Sequence, residues 1–99
     1  MKLPVEIDKT SLAEFCRRNQ IRRLALFGSA LRDDFGPDSD VDVLVEFETA
    51  AVVTLLDMAR MEMGLAGMIG RKVDLRTPEE LSRYFRDKVM ALAVVQYAS

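Results

Sequence analysis

Two aspartates one residue apart, Asp40 and Asp42, precede the apolar run Val43 to Val45. This alternation of acid and aliphatic residues is typical of a β-strand, on which both carboxylates face the same side about 7 Å apart. The two charges repel each other unless a cation lies between them, and Mg²⁺ takes one or two carboxylates together with phosphate oxygens. The pair therefore predicts a magnesium site that handles phosphates. The alternative that Asp40 is only a turn residue beside Ser39 stays open.

A candidate phosphate contact lies upstream, where the apolar run Leu24 to Phe27 ends at Gly28 and Ser29. Glycine lets a backbone approach a ligand closely, and the N–H groups that open a helix favour an anion. Arg32 follows one helical turn later, so its guanidinium is predicted to reach the same phosphate. Ser29 as a helix cap alone is the competing interpretation.

A third acid, Asp74, lies between Val73 and Leu75 in a strand predicted over residues 71–75. If this strand lies beside the strand of the aspartate pair, the three carboxylates converge. Such a triad can hold two Mg²⁺ ions roughly 4 Å apart, an arrangement used for in-line attack at phosphorus. Pairing of Asp74 with Arg71 or Arg76 is the alternative.

The chain contains no histidine and a single cysteine, Cys16. No Ser-His-Asp or Cys-His site can therefore be built from it, and a zinc site or an internal disulfide is not expected. Cys16 is predicted to pack in the core as a small hydrophobic residue. Chemistry in this chain must use carboxylates, hydroxyls, basic side chains or a bound metal.

The length of 99 residues predicts one domain, residues 1–99, with one small core. A net charge of −2 argues against binding of DNA through bulk charge. There is neither a secretory segment nor an apolar run long enough to cross a membrane, so a cytoplasmic protein is expected.

The predicted elements alternate between helix and strand. A first helix carries Leu12, Phe15 and Cys16 on one face and ends at Asn19, with Asp8 or Ser11 as its cap. Strands are predicted over 21–27, 40–47 and 71–75, and a methionine-rich helix over 54–69, whose methionines either fill the core or meet a partner. These elements predict an α/β (α+β) fold, a small mixed β-sheet of three or more strands with helices packed mainly on one side.

A final helix is predicted from the cap Thr77 and Pro78 to Tyr97. Its apolar arc is wider than one core contact requires. Phe85, Val89 and Leu92 are assigned to the sheet. Met90, Val94 and Tyr97 are then predicted to contact a second chain, either a partner protein or another copy, which would form a homodimer.

Gly28-Ser29, the acids Asp40 and Asp42 after a ten-residue gap, and Asp74 between apolar residues form an ordered pattern. This pattern resembles the signature of the DNA polymerase beta-type nucleotidyltransferase superfamily. The short length makes the chain most similar to its minimal nucleotidyltransferases, the MNT half of HEPN/MNT toxin–antitoxin pairs. The motifs run from about residue 21 to 75, with the flanking helices matching more loosely.

The resemblance implies a catalytic core in which Asp40, Asp42 and Asp74 bind two Mg²⁺ ions, and Asp74 accepts the proton of the attacking hydroxyl. It also implies that Gly28 and Ser29, with Arg32 and Ser39 nearby, hold the phosphates of the nucleotide. The implied reaction transfers AMP from ATP to a tyrosine of a HEPN-type toxin, which makes the chain an antitoxin.

Two other functions remain open at this point. The chain could neutralise its partner by masking it without catalysis, or it could modify a small molecule, although no further domain is available to form a pocket for one. The family often has glycine directly after the arginine, where this chain has Asp33. That departure puts the conformation of the phosphate loop in question.

Overall fold

A computed structural model describes residues 7–31 and 39–99, apart from the side chains of Ser29 and Ala30. In chain order the helices are α1 (Lys9–Arg18), α2 (Leu55–Ile69) and α3 (Arg86–Leu92). The strands are β1 (Ile21–Phe27), β2 (Val41–Phe47), β3 (Val73–Arg76) and β4 (Val94–Ala98), and short 3-10 turns cover Gly28–Leu31 and Pro78–Glu80. The first strand has the predicted bounds, and β2 and β3 each begin one or two residues later than predicted.

The four strands form one mixed sheet in the order β3-β2-β1-β4. Strand β1 runs antiparallel to both β2 and β4, whereas β2 and β3 are parallel. The C-terminal end of β1 therefore lies beside the start of β2, with Phe27 opposite Asp42. This topology brings the end of β1 and the starts of β2 and β3 to the same end of the sheet.

The core lies on one face of the sheet. Val41, Val43 and Val45 are fully buried and point to that face because side chains alternate along a strand. Helices α1 and α2 cover them with a set of apolar residues spaced one helical turn apart: Leu12, Phe15, Cys16, Met61 and Leu65. The prediction of helices mainly on one side of a small mixed sheet is thus confirmed for α1 and α2.

Helix α2 shows how local sequence sets its ends. The Thr54 hydroxyl accepts a hydrogen bond from Asp57 N at 3.2 Å, and the Asp57 carboxylate accepts one from Thr54 N at 3.0 Å. The helix ends at Gly70, whose φ of +78° suits glycine. Of its methionines, Met61 is buried and Met63 is 76% exposed, so core filling accounts for only part of the set.

The predicted final helix is wrong. The capped start at Thr77 leads only to the 3-10 turn Pro78–Glu80, helix α3 runs from Arg86 to Leu92, and Val94–Ala98 is a strand. Val94, Val95 and Tyr97 are β-branched or aromatic residues, which pack well on a pleated surface. Pairing with β1 decides the conformation of this segment, and a local pattern cannot show that pairing.

The assignment of the two sides of the final helix is wrong as well. Met90 and Ala93 line a crevice with Ala25 and Leu44, on the face of the sheet away from the core. Phe85 and Leu92, which were expected to cover the sheet, are 55% and 62% exposed. The remaining predicted contact residues, Val94 and Tyr97, belong to β4 and pair with β1.

No helix within the described ranges is long and apolar enough to cross a bilayer.

Candidate functional site

Asp42 and Asp74 lie directly opposite each other on the parallel strands β2 and β3. Because Val41 and Val43 point into the core, Asp42 points to the opposite face of the sheet. The same alternation places Asp74, between the buried Val73 and Leu75, on that face. Neighbouring strands lie about 5 Å apart, so two acids far apart in the sequence become neighbours at one end of the sheet.

Gly28 lies against Asp42. A Cβ atom on Gly28 would lie 2.5 Å from Oδ2 of Asp42, closer than Cβ atoms normally come, and 3.3 Å from its Cγ, which is also tight. Gly28 also has a φ of +59°, a conformation that residues with a Cβ rarely adopt. The turn that begins with it, Gly28–Leu31, is a 3-10 turn rather than an α-helix. The backbone at Gly28 therefore lies close to the second acid of the pair, and its predicted approach to a phosphate stays a prediction.

Asp40 lies just before β2 and is exposed, with its Oδ2 atom 4.0 Å from Lys72 Nζ. The backbone around it is attached to the residues that lead into β3. Arg71 donates from Nη2 to the Ser39 carbonyl at 3.1 Å, and Val41 N donates to the Lys72 carbonyl at 2.8 Å. These contacts fix the turn that carries Asp40 beside the start of β3.

Asp74 forms an ion pair with Arg76. Arg76 Nε lies 3.1 Å from Asp74 Oδ1, and Arg76 Nη2 donates to Oδ2 at 3.4 Å. The Asp74 charge raises the pKa of Arg76. Arg76 Nη1 also lies 3.5 Å from Glu80 Oε2. Of the two alternative partners that the sequence offered for Asp74, the structure pairs it with Arg76.

Sequence reasoning missed two side chains near the acids, one just before β3 and one on α2. Lys72 Nζ lies 4.0 Å from Asp40 Oδ2, an exposed and therefore weak ion pair. Glu62 of α2 accepts a hydrogen bond from Leu75 N at 2.9 Å, on the outer edge of the sheet. That bond holds the strand position next to Asp74. No sequence pattern could have found it, since it joins residues in different elements.

Several predicted site residues cannot be placed. Arg32 and the neighbouring Asp33 lie outside the described residues, and so does the side chain of Ser29. Ser39 is described through its carbonyl, which accepts from Arg71. The predicted phosphate contacts of these residues stay predictions.

The donor set suits a hard cation. Asp42 and Asp74 offer carboxylate oxygens from adjacent strands, as Mg²⁺ prefers, and Arg76 already shows that this position holds a positive charge. Across residues 7–31 and 39–99, no three acidic or cysteine side chains are arranged as a ready metal cluster. Two carboxylates with phosphate oxygens from a substrate are the fit that these residues provide.

Cys16 takes no part in this site. It is fully buried between α1 and the sheet, and burial raises the pKa of its thiol to about 12. Since the thiolate is the reactive form, this cysteine is not a nucleophile at neutral pH. The expectation that it packs in the core is confirmed.

Comparisons with known proteins agree with this geometry. Residues 9–95 match the family model described as "Nucleotidyltransferase domain". A Methanocaldococcus jannaschii protein named "Putative protein adenylyltransferase MJ0435" is 29% identical over 87% of this chain and 90% of its own length. The protein adenylyltransferase MntA of Thermococcus cleftensis is 39% identical over 63% of this chain and 61% of its own length.

The fold is shared with a solved complex as well. One chain in the structure of the tri-AMPylated HEPN toxin of Shewanella oneidensis with MNT antitoxin superimposes with a TM-score of 0.64. It is 19% identical, and the match covers 92% of the present chain and 70% of that one. At this identity the likeness concerns the fold.

Proposed function

Because the chain belongs to the nucleotidyltransferase domain family, we propose that it transfers AMP from ATP to a hydroxyl group of a partner protein. The proposed acceptor is a tyrosine of a HEPN-type toxin, whose modification by this chain neutralises it. The relatives named as protein adenylyltransferases support the reaction class, and the neighbour solved with an AMPylated HEPN toxin supports the choice of partner.

The observation that carries the proposal is the position of Asp42, opposite Asp74 and against Gly28. Transfer of a nucleotide needs negative charge to be neutralised and reacting atoms to be aligned, with little covalent work by the protein. Two carboxylates beside a glycine turn provide a place for a phosphate-bound cation without histidine. Asp42 and Asp74 are the residues that would hold Mg²⁺, and Asp40, two residues before Asp42 in the chain, is proposed as a further ligand.

Bound Mg²⁺ would neutralise charge on the phosphates. The acceptor oxygen forms a bond to the α-phosphorus, the bond from that phosphorus to the bridging oxygen breaks, and pyrophosphate leaves. The proton of the hydroxyl passes to a carboxylate, a role that we assign to Asp74. For this, Arg76 must release at least one Asp74 oxygen. Gly28 lets the turn lie close to Asp42, so a phosphate held by the turn and a cation held by Asp42 would be neighbours.

Transfer can be tested with the chain, its HEPN-type partner, Mg²⁺ and ATP labelled at the α-phosphate. Asp42→Asn is expected to reduce labelling of the partner at least about a hundredfold, because it removes one of the two carboxylate charges, Asp42 and Asp74, at the reacting centre. Glu14→Gln, a change at an exposed acid of α1 on the other face of the sheet, is the matched control. Equal labelling by both variants would contradict the proposal.

The competing function is neutralisation by masking, in which the partner is inhibited by binding alone. Asp40→Asn and Asp42→Asn separate the two, because neither is expected to abolish association with the partner. If both variants protect cells from the toxin as well as the unmodified chain does, masking accounts for the antitoxin effect.

A further inference from the structure

Helix α3 and the two residues before it expose several apolar side chains. Tyr84 is 84% exposed, and Phe85 and Leu92 are 55% and 62% exposed. Phe85, Val89 and Leu92 follow one side of the helix at intervals of four and three residues. We name Tyr84, Phe85, Val89 and Leu92 the α3 surface. Single exposed apolar residues are ordinary, but several that lie close together along the chain, two of them aromatic, are typical of a protein interface.

The α3 surface is exposed because the opposite side of the helix faces the sheet. Met90 and Ala93 line a crevice with Ala25 and Leu44 of the sheet, which are both buried. No residue of α3 is buried. The apolar side chains of the α3 surface are therefore not required for the contact with the sheet, and burial against another molecule would be favourable for them.

The α3 surface lies on the same face of the sheet as the acids. Leu44, beneath α3, is two residues along β2 from Asp42, which corresponds to about 7 Å. Helices α1 and α2 lie on the other face. A protein that rests on α3 is therefore beside the acids without crossing the helical layer.

Basic side chains border the α3 surface. Arg83 lies over the Tyr84 ring, 5.4 Å from its centroid. Within the described part of the chain neither Arg83 nor Lys88 has an ion pair, and Asp87 is the one acid between them. The border is thus positive in a chain whose net charge is −2. Opposite charge on a partner would complement it.

We infer that the α3 surface is the docking site for the protein that carries the acceptor hydroxyl, and that the docking segment of this protein is apolar with acidic residues around it. This inference rests on the proposed function and adds the surface that selects the acceptor. A second copy fits less well, because a symmetric interface places the same patch on both subunits and brings Arg83 and Lys88 towards their own copies. A small molecule fits less well, since the exposed side of a helix is convex.

The test compares matched double variants with the HEPN-type partner as the probe. Tyr84→Glu with Leu92→Glu is expected to weaken the Kd for the partner at least about tenfold by calorimetry, as loss of an aromatic anchor in an interface does. Leu55→Glu with Met63→Glu changes two residues that are 90% and 76% exposed on α2 and serves as control. Circular dichroism confirms that each variant is folded, and the Kd for ATP is expected to stay unchanged.

Charge is tested separately. Arg83→Glu with Lys88→Glu is expected to weaken partner binding, and the effect should diminish as salt is raised, because exposed charges are screened. Arg17→Glu on α1, far from the α3 surface, is the control. Since these changes are at exposed positions, they test the inference even if the apolar variant fails to fold.

The outcomes separate this inference from the proposed function. If the partner binds and is AMPylated equally well by all variants, the docking surface is wrong and the reaction stands. If the α3 variants lose binding but the unmodified chain never transfers AMP, the surface stands and the reaction is wrong. The inference is overturned if the unmodified chain does not bind the partner. It is also overturned if light scattering shows that the chain dimerises through these residues.

Discussion

The guanidinium of Arg76 contacts both carboxylate oxygens of Asp74, at 3.1 Å from Nε to Oδ1 and 3.4 Å from Nη2 to Oδ2. The two residues are two positions apart on β3, so both side chains point to the same face of the sheet. The chain thereby supplies its own cation to one of the acids that we assign to Mg²⁺. A metal that binds Asp74 must compete with this ion pair.

Arg76→Gln is expected to raise the affinity of the nucleotide-free chain for Mn²⁺ or Mg²⁺ about fivefold, which corresponds to about 1 kcal/mol, the upper end for an exposed ion pair. The variant removes the competing charge and leaves the carboxylate in place. Calorimetric titration of the metal measures the change. Arg60→Gln on α2, away from the acids, is the control. If the metal affinity does not rise for Arg76→Gln, the ion pair and the metal do not share Asp74.

Alanine substitutions at three glycines separate the effect of backbone strain on stability from the effect of steric contact. Gly67→Ala is expected to stabilise the chain by about 1 kcal/mol, because the position is helical and a Cβ there meets nothing within 4 Å. Gly70→Ala is expected to lower the free energy of unfolding by about 1 kcal/mol through backbone strain alone, because φ is +78° and the space around a Cβ is open. Gly28→Ala combines a φ of +59° with the contact to Asp42 and should cost more than Gly70→Ala.

Thermal melts of the three glycine variants give the order directly, at roughly 4–8 °C in Tm for each kcal/mol in a domain of this size. AMP transfer is expected to fall only for Gly28→Ala. If Gly28→Ala and Gly70→Ala melt alike and transfer equally well, the close approach between the turn and Asp42 is not important for either property.

Glu62→Ala tests the bond that α2 makes to the edge of the sheet. Without the Glu62 carboxylate, the Leu75 N–H can donate only to water, and the free energy of unfolding is expected to fall by about 1 kcal/mol. Hydrogen exchange of the Leu75 amide should become faster, while the amides of β1 keep their protection. Glu62→Gln retains an acceptor oxygen and serves as the control. Unchanged exchange at Leu75 in Glu62→Ala would contradict the assigned bond.

The hydrogen-bonded cap of α2 predicts that the stability of the fold depends on pH. Hydrogen bonds from Thr54 lower the pKa of Asp57 below its ordinary value of 3.8. A lowered pKa in the folded state means that the ionised carboxylate stabilises the fold above about pH 3.8, and that this contribution is lost as pH falls through the folded-state pKa. Asp57→Ala should therefore melt lower than the unmodified chain at pH 7, with the difference narrowing below pH 4. A difference in Tm that is constant with pH would exclude the charge as its source.

The sequence alone predicted much of the site because its chemistry is local. Alternation around Asp42 predicted its strand and its face, and the end of an apolar run at Gly28 predicted a short helix, where the structure has a 3-10 turn. The sequence predicted only that the strand of Asp74 could lie beside that of Asp42, and the structure shows that the two strands are parallel with Asp74 opposite Asp42. The roles of Asp40, Asp42 and Asp74 in catalysis remain predictions.

The tertiary structure decided what depends on contacts between distant segments. A helical pattern continued through Val94 to Tyr97, but the open edge of β1 offered backbone hydrogen bonds, and the segment became β4. That change removed the far end of the predicted helix and left Met90, rather than Phe85, against the sheet. Local spacing cannot specify such outcomes, because hydrogen bonds between strands and the choice of a buried helix face depend on which surfaces the rest of the chain presents.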